Sequence, residues 1–503
     1  MVPISGPGNL QYPSPAPEHS HNLVIGSGFG ASVTALRLAE SGSRVTMLER
    51  GSRWPRDPWR KIFSNDTFPD GRAQWFRNSF TGLNGIPVYF DRFGGVLDVT
   101  QYQQMQVWRG AAVGGGSIVF TGVLIQPERR FFDSVFTGRV NYDEMDQKYY
   151  PLARKMLDAS PVPPDIYSTA PFGHSRVWDA QAAQAGYTPN RSTPSLSGIP
   201  FARSSPSARE HQPLSERATT VTQTAQSTTS LQNYLAQAEA TSRVTIHPRH
   251  VVRAIAQQTD GKFWVQVDIV EPDGTLTRSR TLTCNRLFLG AGSIGTSELL
   301  VRARSLGTLP RLNQHVGEGW GNNGDAALMR TFSLSPGLTQ ASPSASRILD
   351  ESGMPLSLEN WYIPGLPVNI GLLGSLAMTL NPTRASFRYD HSTSSIVLDW
   401  PSDGVTDSND ALRAVHNHIT QANGVNVGFP PFAADVNSTF TAHPLGGAVL
   451  GLATDTYGRV HGHNGLYVVD AAVIPGSTGT VNPSLTVTAL AERAIENIIT
   501  RGS

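Results

Sequence analysis

Residues 23 to 31 read Leu23-Val24-Ile25-Gly26-Ser27-Gly28-Phe29-Gly30-Ala31, and this stretch decides the fold. A short apolar run ends in a glycine turn, and an amphipathic stretch with Val33, Leu36 and Leu38 follows. Arg44-Val45-Thr46-Met47-Leu48-Glu49-Arg50 then reads as a second strand. Strand, glycine turn, helix and strand within about 30 residues make one βαβ unit. Gly26 permits the tight turn, and Gly28 lets the backbone approach a pyrophosphate at the helix N-terminus, where free N–H groups meet it. Phe29 sits inside the turn, Gly30 adds room, and Ala31 fills the third position of G-x-G-x-x-G/A. Glu49 lies 21 positions after Gly28 and ends the second strand. There a carboxylate accepts hydrogen bonds from the ribose hydroxyls of an unphosphorylated adenosine. The motif alone leaves FAD and NAD both open.

The rest of the 503 residues bounds the answer. At ~150 residues per domain they make about three folding units, or two larger ones. Apolar residues are 39% of the chain and charged residues only 16%, with 48 Gly and 35 Pro, which reads as loop-rich and compact. Disorder needs the opposite balance. Forty basic against 39 acidic residues leave a net charge of +1, which argues against a nucleic-acid partner. One cysteine, Cys284, excludes an intramolecular disulfide and a Cys-based metal site, and no metal is expected. No apolar run reaches the ~18 residues of a bilayer span. Met1 to Ser20 lacks a charged-then-apolar leader and reads as a loose arm, with structure beginning at His21. The compartment is left open, with secretion expected only if a leader has been removed.

Further along, Trp54, Trp59, Phe63, Trp75, Phe76, Phe80, Tyr89 and Phe90 form an aromatic, irregular stretch. It reads either as a lid over a greasy substrate or as plain core. Arg109-Gly110-Ala111-Ala112-Val113-Gly114-Gly115-Gly116-Ser117 is a second glycine cluster in an apolar setting, expected to be a buried loop pressed against something flat or charged. An NAD-only enzyme has no evident need for it. A helix is expected from Ser230 to Ala240, strands over Val244 to Gln257 and Phe263 to Val270, and a buried strand Arg286 to Leu289 running into a helix near Gly292. Ile370 to Met378, Ser395 to Asp399 and Leu466 to Val469 read as strands, and Ser484 to Thr500 as a helix.

With these segments in view, the chain resembles the FAD-dependent cholesterol oxidases of the glucose–methanol–choline oxidoreductase superfamily. The likeness rests on Val24 to Glu49, Arg109 to Gly122, Leu287 to Val301, Val316 to Gly324, and His443 to Arg493. Val316-Gly317-Glu318-Gly319-Trp320-Gly321-Asn322-Asn323-Gly324, His443-Pro444-Leu445-Gly446-Gly447 and Gly465-Leu466-Tyr467-Val468-Val469-Asp470 are specific to this branch. The resemblance fades between about 160 and 230 and in parts of 330 to 430. It implies an α+β fold with a Rossmann-like FAD-binding domain built from discontinuous segments (20–60, 96–155, 242–330 and 436–503). A sheet-based substrate domain would take 61–95, 156–241 and 331–435, with 1–19 as the arm.

The resemblance also implies FAD, held noncovalently because no attachment histidine stands near Arg109 to Ser117. Gly26, Gly28, Phe29, Gly30 and Glu49 would meet its ADP half, and Val251 its adenine. Gly110, Gly114, Gly115, Gly116 and Ser117 would lie near the flavin and pyrophosphate, and Gly292, Asp470, Asn482 and Pro483 would complete the pocket. His443 and Asn482 are the implied catalytic pair. A neutral imidazole can take the hydroxyl proton near neutrality, and an amide can fix the hydroxyl without ionising. Glu359 is the implied cavity glutamate that moves a proton between two carbons and so shifts a double bond. His247, His250, His461 and His463 read as surface or loop residues.

The implied activity is oxidation of a hydrophobic secondary alcohol, best a 3-hydroxysteroid such as cholesterol. Hydride passes to flavin N5, and O2 regenerates the flavin with release of H2O2. Phe120, Thr121 and Val123 stand where these oxidases usually carry Asn, Gly and Met, and the bulky Phe120 puts fast reoxidation by oxygen in question. Two other readings stay open: a tailoring oxidation of a natural-product alcohol, and net non-redox isomerase or lyase chemistry on a flavin scaffold. A transient membrane-surface contact and a monomer or weak oligomer complete the expectations.

Overall fold

The structure, a computed structural model, describes residues 14–55, 64, 69–81, 87–169, 172–190, 231–330, 344–361, 373–424 and 439–501. Trp59, Phe63, Tyr362, Ser230 and much of the stretch where the family likeness fades lie outside the described residues.

In chain order, the elements that build the site begin with strand β1 (His19–Ile25), helix α1 (Phe29–Glu40) and strand β2 (Val45–Leu48). Strands β3 (Leu97–Gln101) and β4 (Gln106–Gly110) follow, then β5 (Val244–His247), β6 (His250–Gln257), β7 (Phe263–Val270) and β8 (Leu276–Leu289). Helix α2 (Gly292–Ser305) leads to β9 (Asp325–Arg330), β10 (Arg347–Asp350), β11 (Leu356–Trp361), β12 (Leu373–Thr379) and helix α3 (Thr406–Ala422). Short strands β13 (Phe440–Thr441) and β14 (Leu466–Val468) and helix α4 (Ser484–Arg501) close the chain.

The first sheet has seven strands in the order β5-β2-β1-β8-β7-β6, with β14 also on β8. β8 is the long spine. Its first part pairs antiparallel with β7, and its last part pairs parallel with β1 and β14. The sequence marks only its buried end, Arg286 to Leu289, because none of the first residues, Leu276 to Thr281, is buried. The expected strand from Val244 to Gln257 is two strands, broken at Pro248 and at Arg249, whose φ is +58°. The helix expected from Ser230 is described from Leu231, with a wide turn to Leu235 before the helix Ala236–Ala240. α1 packs on α4, where Arg37 bonds Glu492 at 2.7 Å and Tyr234 donates to the same carboxylate at 2.8 Å. β1 begins two residues before His21. Ahead of it the stretch read as a loose arm is docked from Ser14, whose carbonyl meets the His247 ring at 2.8 Å, and Ala16 is buried.

The second sheet is antiparallel, in the order β9-β12-β11-β10. Side chains alternate faces along each strand. Ala326, Ile348, Leu356, Leu358, Leu373 and Ala377 face one way and pack on α3 and the helix Gly173–Gln184, through Leu412, Val415 and Trp178. Asp325, Arg347, Glu359, Leu376 and Met378 therefore share the opposite face. Of these four strands the sequence reading found only β12, although Leu356-Ser357-Leu358-Glu359 alternates as a strand should. A third, small sheet runs β13-β4-β3 and joins the second glycine cluster to the approach of His443. The mixture of helix and sheet is the α+β architecture expected. In the aromatic stretch, Trp54 is buried against Phe93 as core, while Tyr89 is exposed.

Candidate active site

The two glycine clusters meet. α1 is capped by Gly28 with no side-chain partner, so its first-turn N–H groups are left to a ligand. A Cβ on Gly115 would lie 2.7 Å from the Gly28 Cα, so the backbones touch only because residue 115 is glycine; a Cβ on Gly28 would clear Gly115 at 4.0 Å. Beside that contact the space is open: a Cβ on Gly116 would find no atom within 4 Å. Gly30 works differently. A Cβ there would sit 1.6 Å from the Val469 carbonyl, so its missing side chain seats α1 against the end of β14 and makes no room for a ligand. Gly26 and Gly110 are likewise filled by backbone, Gly290 and Gly115 respectively.

Ser27, which the sequence reading passed over, ties the cradle together. Its hydroxyl donates to Glu49 Oε2 at 2.6 Å and accepts the Gly114 N–H at 3.0 Å. Burial pushes the Glu49 carboxyl up, and the bonds from Ser27 and the Gly51 N–H pull it back in part. The His250 N–H donates to the Glu49 carbonyl, which brings the half-buried Val251 alongside. Ser117 is buried and donates to the Gly114 carbonyl. Phe29 stands edge-on to Phe120, with ring centres 5.2 Å apart. Asp470 spends its carboxylate inside the protein. It accepts from Ala472 N–H, Gly292 N–H and Thr296 Oγ1, and burial raises it to about 6 against those bonds. It fixes the start of α2 under β14. Pro483 is buried at the head of α4, where its carbonyl accepts from Val487.

The open space beside the clusters, the uncapped start of α1 and the buried Glu49 fit an adenine dinucleotide with a flat group at Gly116.

The catalytic candidates converge from distant segments. β13 delivers His443, whose Nδ1 lies 2.7 Å from Asp325 Oδ1. Asp325 opens β9 and its side chain is fully buried. Its other oxygen accepts from Thr441 Oγ1 at 2.9 Å and from the Ala442 N–H at 3.0 Å. Asn482 Nδ2 stands 3.5 Å from His443 Nε2, and its Oδ1 is buried with no partner. Asn323 links the two arms: its Nδ2 donates to the Val481 carbonyl and its Oδ1 accepts from the Thr478 N–H. Neither Asp325 nor Asn323 was singled out from the sequence, although Asn323 lies within the Gly-Asn-Asn-Gly run that was and Asp325 directly follows it.

Glu359 is buried, and neither carboxylate oxygen makes a well-formed hydrogen bond. Desolvation raises it to about 7, against the pull of Ser344, His443, Arg347 and Asn482 nearby. For His443, burial disfavours the cation, but the Asp325 charge and hydrogen bond, with Glu359 behind, outweigh it and raise the imidazole. The structure thus brings His443, Asn482 and Glu359 together. Of the histidines read as surface or loop residues, His461 is exposed, while His247, His250 and His463 are buried, bonded to Ser14, Pro248 and Gln257. Cys284 is buried in β8, and desolvation pushes its thiol up. No helix among the described residues is long and apolar enough to cross a membrane.

Residues 384–491 match the family described as GMC oxidoreductase. The chain is 28% identical over 545 residues to a cholesterol oxidase of Mycobacterium tuberculosis (strain CDC 1551 / Oshkosh), covering 94% of this chain and 90% of that protein. It is 24% identical over 547 residues to a cholesterol oxidase of Acinetobacter baumannii, covering 95% and 94%. Its fold is similar to that of pyridoxine 4-oxidase from Mesorbium loti, with a TM-score of 0.63 at 16% identity, covering 96% of this chain and all of the other. A fungal aryl-alcohol oxidase gives 0.63 at 14% identity, covering 97% of this chain.

Proposed function

We propose that this chain, a cholesterol oxidase-like GMC oxidoreductase and so an FAD-dependent enzyme acting on alcohols, oxidises a hydrophobic secondary alcohol, first among them a 3-hydroxysteroid. FAD is held noncovalently, by the start of α1, Glu49, Val251 and the Gly114 to Ser117 turn. When bound it supplies the hydride acceptor at the alcohol carbon, with O2 as the final oxidant and H2O2 as product.

His443 Nε2 takes the hydroxyl proton as the hydride leaves. Asn482 holds the alcohol oxygen through its amide and keeps the carbon–hydrogen bond aligned. Glu359 then carries a proton between two carbons of the product, moving a double bond into conjugation with the new carbonyl. A carboxyl near 7 can both take and return a proton at neutral pH. The observation that supports the reading is one cluster: His443 beside Asn482, with the Asn482 oxygen and both Glu359 oxygens buried and unpartnered. Buried polar atoms without partners cost free energy, and such atoms collect where a ligand completes the site.

The test is to mix the flavin-loaded protein anaerobically with cholesterol and follow the ~450 nm flavin band. Rapid bleaching, absent in His443→Ala, is expected, and air should then restore the band. No bleaching by any 3-hydroxysteroid overturns the steroid assignment.

A further inference from the structure

We infer that Asp325 is a positioning residue for the reaction. It holds His443 in the one tautomer that leaves Nε2 unprotonated, with its lone pair toward Asn482 Nδ2 and the alcohol. The inference rests on the reading of His443 as the proton acceptor.

Three observations carry it. The Asp325 carboxylate is fully buried at the edge of the second sheet, so it keeps its bonds without competition from water. One oxygen meets His443 Nδ1 at 2.7 Å, and an ionised carboxylate only accepts, so Nδ1 carries the proton and Nε2 presents its lone pair. The other oxygen is fixed by two donors, one of them the backbone N–H of Ala442, which cannot rotate away. His443 is anchored a second time by its own N–H, which donates to Thr441 Oγ1 at 2.8 Å. The ring is thus set from both sides. On the bare side stands Asn482, on a loop pinned through Asn323 to the same turn that starts β9. The charged groups acting on His443 among the described residues are Asp325 and Glu359, with Arg347 opposite Glu359 across the β10–β11 pair.

The arrangement makes Asp325→Asn a specific probe. An asparagine has one accepting oxygen where Asp325 uses two. The immovable Ala442 N–H claims it, which turns the amide NH2 toward His443 Nδ1. The imidazole proton then moves to Nε2, and the base loses its lone pair toward the substrate.

The experiment is nitrogen NMR of ring-labelled histidines in the flavin-loaded protein, with His443 assigned by its loss in His443→Gln. Wild type should show the Nδ1-protonated tautomer, titrating above the ~6.5 of a free imidazole. Asp325→Asn should show Nε2 protonated, with the titration lower by about 1 pH unit or more. Its anaerobic flavin reduction should slow by about a hundredfold. Thr441→Val removes one donor to Asp325 and the acceptor of the His443 N–H but leaves the Ala442 N–H and the Asp325–Nδ1 contact, so it should keep the wild-type tautomer. An Nε2-protonated His443 in the wild-type protein overturns the inference. So does an unchanged tautomer and titration in a folded Asp325→Asn. The wild-type spectrum decides the matter if that variant does not fold. The NMR readouts need no substrate, so failure of the steroid assignment leaves them standing and is told apart from failure of this role.

Discussion

The glycine cradle and the face that carries Glu359 treat their polar atoms differently. Around the seven-stranded sheet the cradle is closed by backbone. Glycines touch carbonyls, Ser27 is bonded on both sides, and Asp470 spends both oxygens on the protein. On the free face of the four-stranded sheet, neither Glu359 oxygen makes a well-formed hydrogen bond, and Asn482 has a buried oxygen with no hydrogen-bond partner. A cofactor that stays needs a rigid seat. A substrate that comes and goes needs groups that are incomplete without it. Substitutions on the first side should therefore strike folding and flavin content, and those on the second should strike chemistry and pH dependence.

The largest expected effect is Gly30→Ala. Its methyl would lie 1.6 Å from the Val469 carbonyl, a contact no side-chain motion can relieve. α1 must lift from β14, which should cost about 4 kcal/mol or more and yield colourless or insoluble protein. Gly116→Ala is the matched control. With no atom within 4 Å of the new methyl, melting of the flavin-free protein should shift by less than ~0.5 kcal/mol, while flavin affinity falls. Equal damage from both would break the distinction between packing glycines and ligand-facing ones.

That distinction also explains what was legible. The first glycine turn and Glu49 could be read because the whole unit is local, and the chemistry of a pyrophosphate at a helix start fixes the spacing. Which of the glycines packs and which faces a ligand could not be read, because Val469 meets Gly30 from more than 400 positions away. Asp325 was missed for the same reason, being 118 positions from His443. Nothing near either residue announces the other. Glu359 came from the family likeness, and its isolation emerges only when β11 is placed between β10 and β12. The aromatic residues read as a lid divide: Trp54 is core, Tyr89 is exposed, and others lie outside the described residues.

Glu359→Gln should have the next largest effect, on the substrate side alone. Flavin reduction by a 3-hydroxysteroid should stay within a few-fold of wild type, while migration of the double bond is lost, as followed by the conjugated enone absorbance. Stability should change in a defined direction. The carboxyl is raised from 4.5 to about 7 in the folded protein, so between those values the folded state binds more protons than the unfolded. Stability then falls as pH rises through that window, by up to about 3 kcal/mol. Glu359→Gln should remove that fall, so the variant is the more stable protein at pH 8 in chemical denaturation. Asp470, raised to about 6, should leave a residual slope below that pH. A wild-type protein equally stable at pH 5 and pH 8 would mean that Glu359 is not desolvated.

The smallest effect, Ser27→Ala, tests the seat itself. The hydroxyl is buried between Glu49 and the Gly114 N–H, and no other residue joins the two glycine clusters through a side chain among the described bonds. Its loss leaves a buried N–H and one carboxylate oxygen unpaired, at about 1 to 3 kcal/mol. That energy is shared by the fold and the flavin site, so flavin affinity should weaken by about tenfold. Glu49 also loses one of the bonds that oppose its desolvation, the Gly51 N–H remaining, so the weakening should grow as pH falls and the carboxyl takes up a proton. Turnover at saturating flavin should stay unchanged, because His443, Asn482 and Glu359 draw none of their bonds from Ser27. A variant with normal flavin affinity but slowed reduction would show that the two sheets are coupled through this hydroxyl, and that the division of labour between them is less sharp than their hydrogen bonds make it.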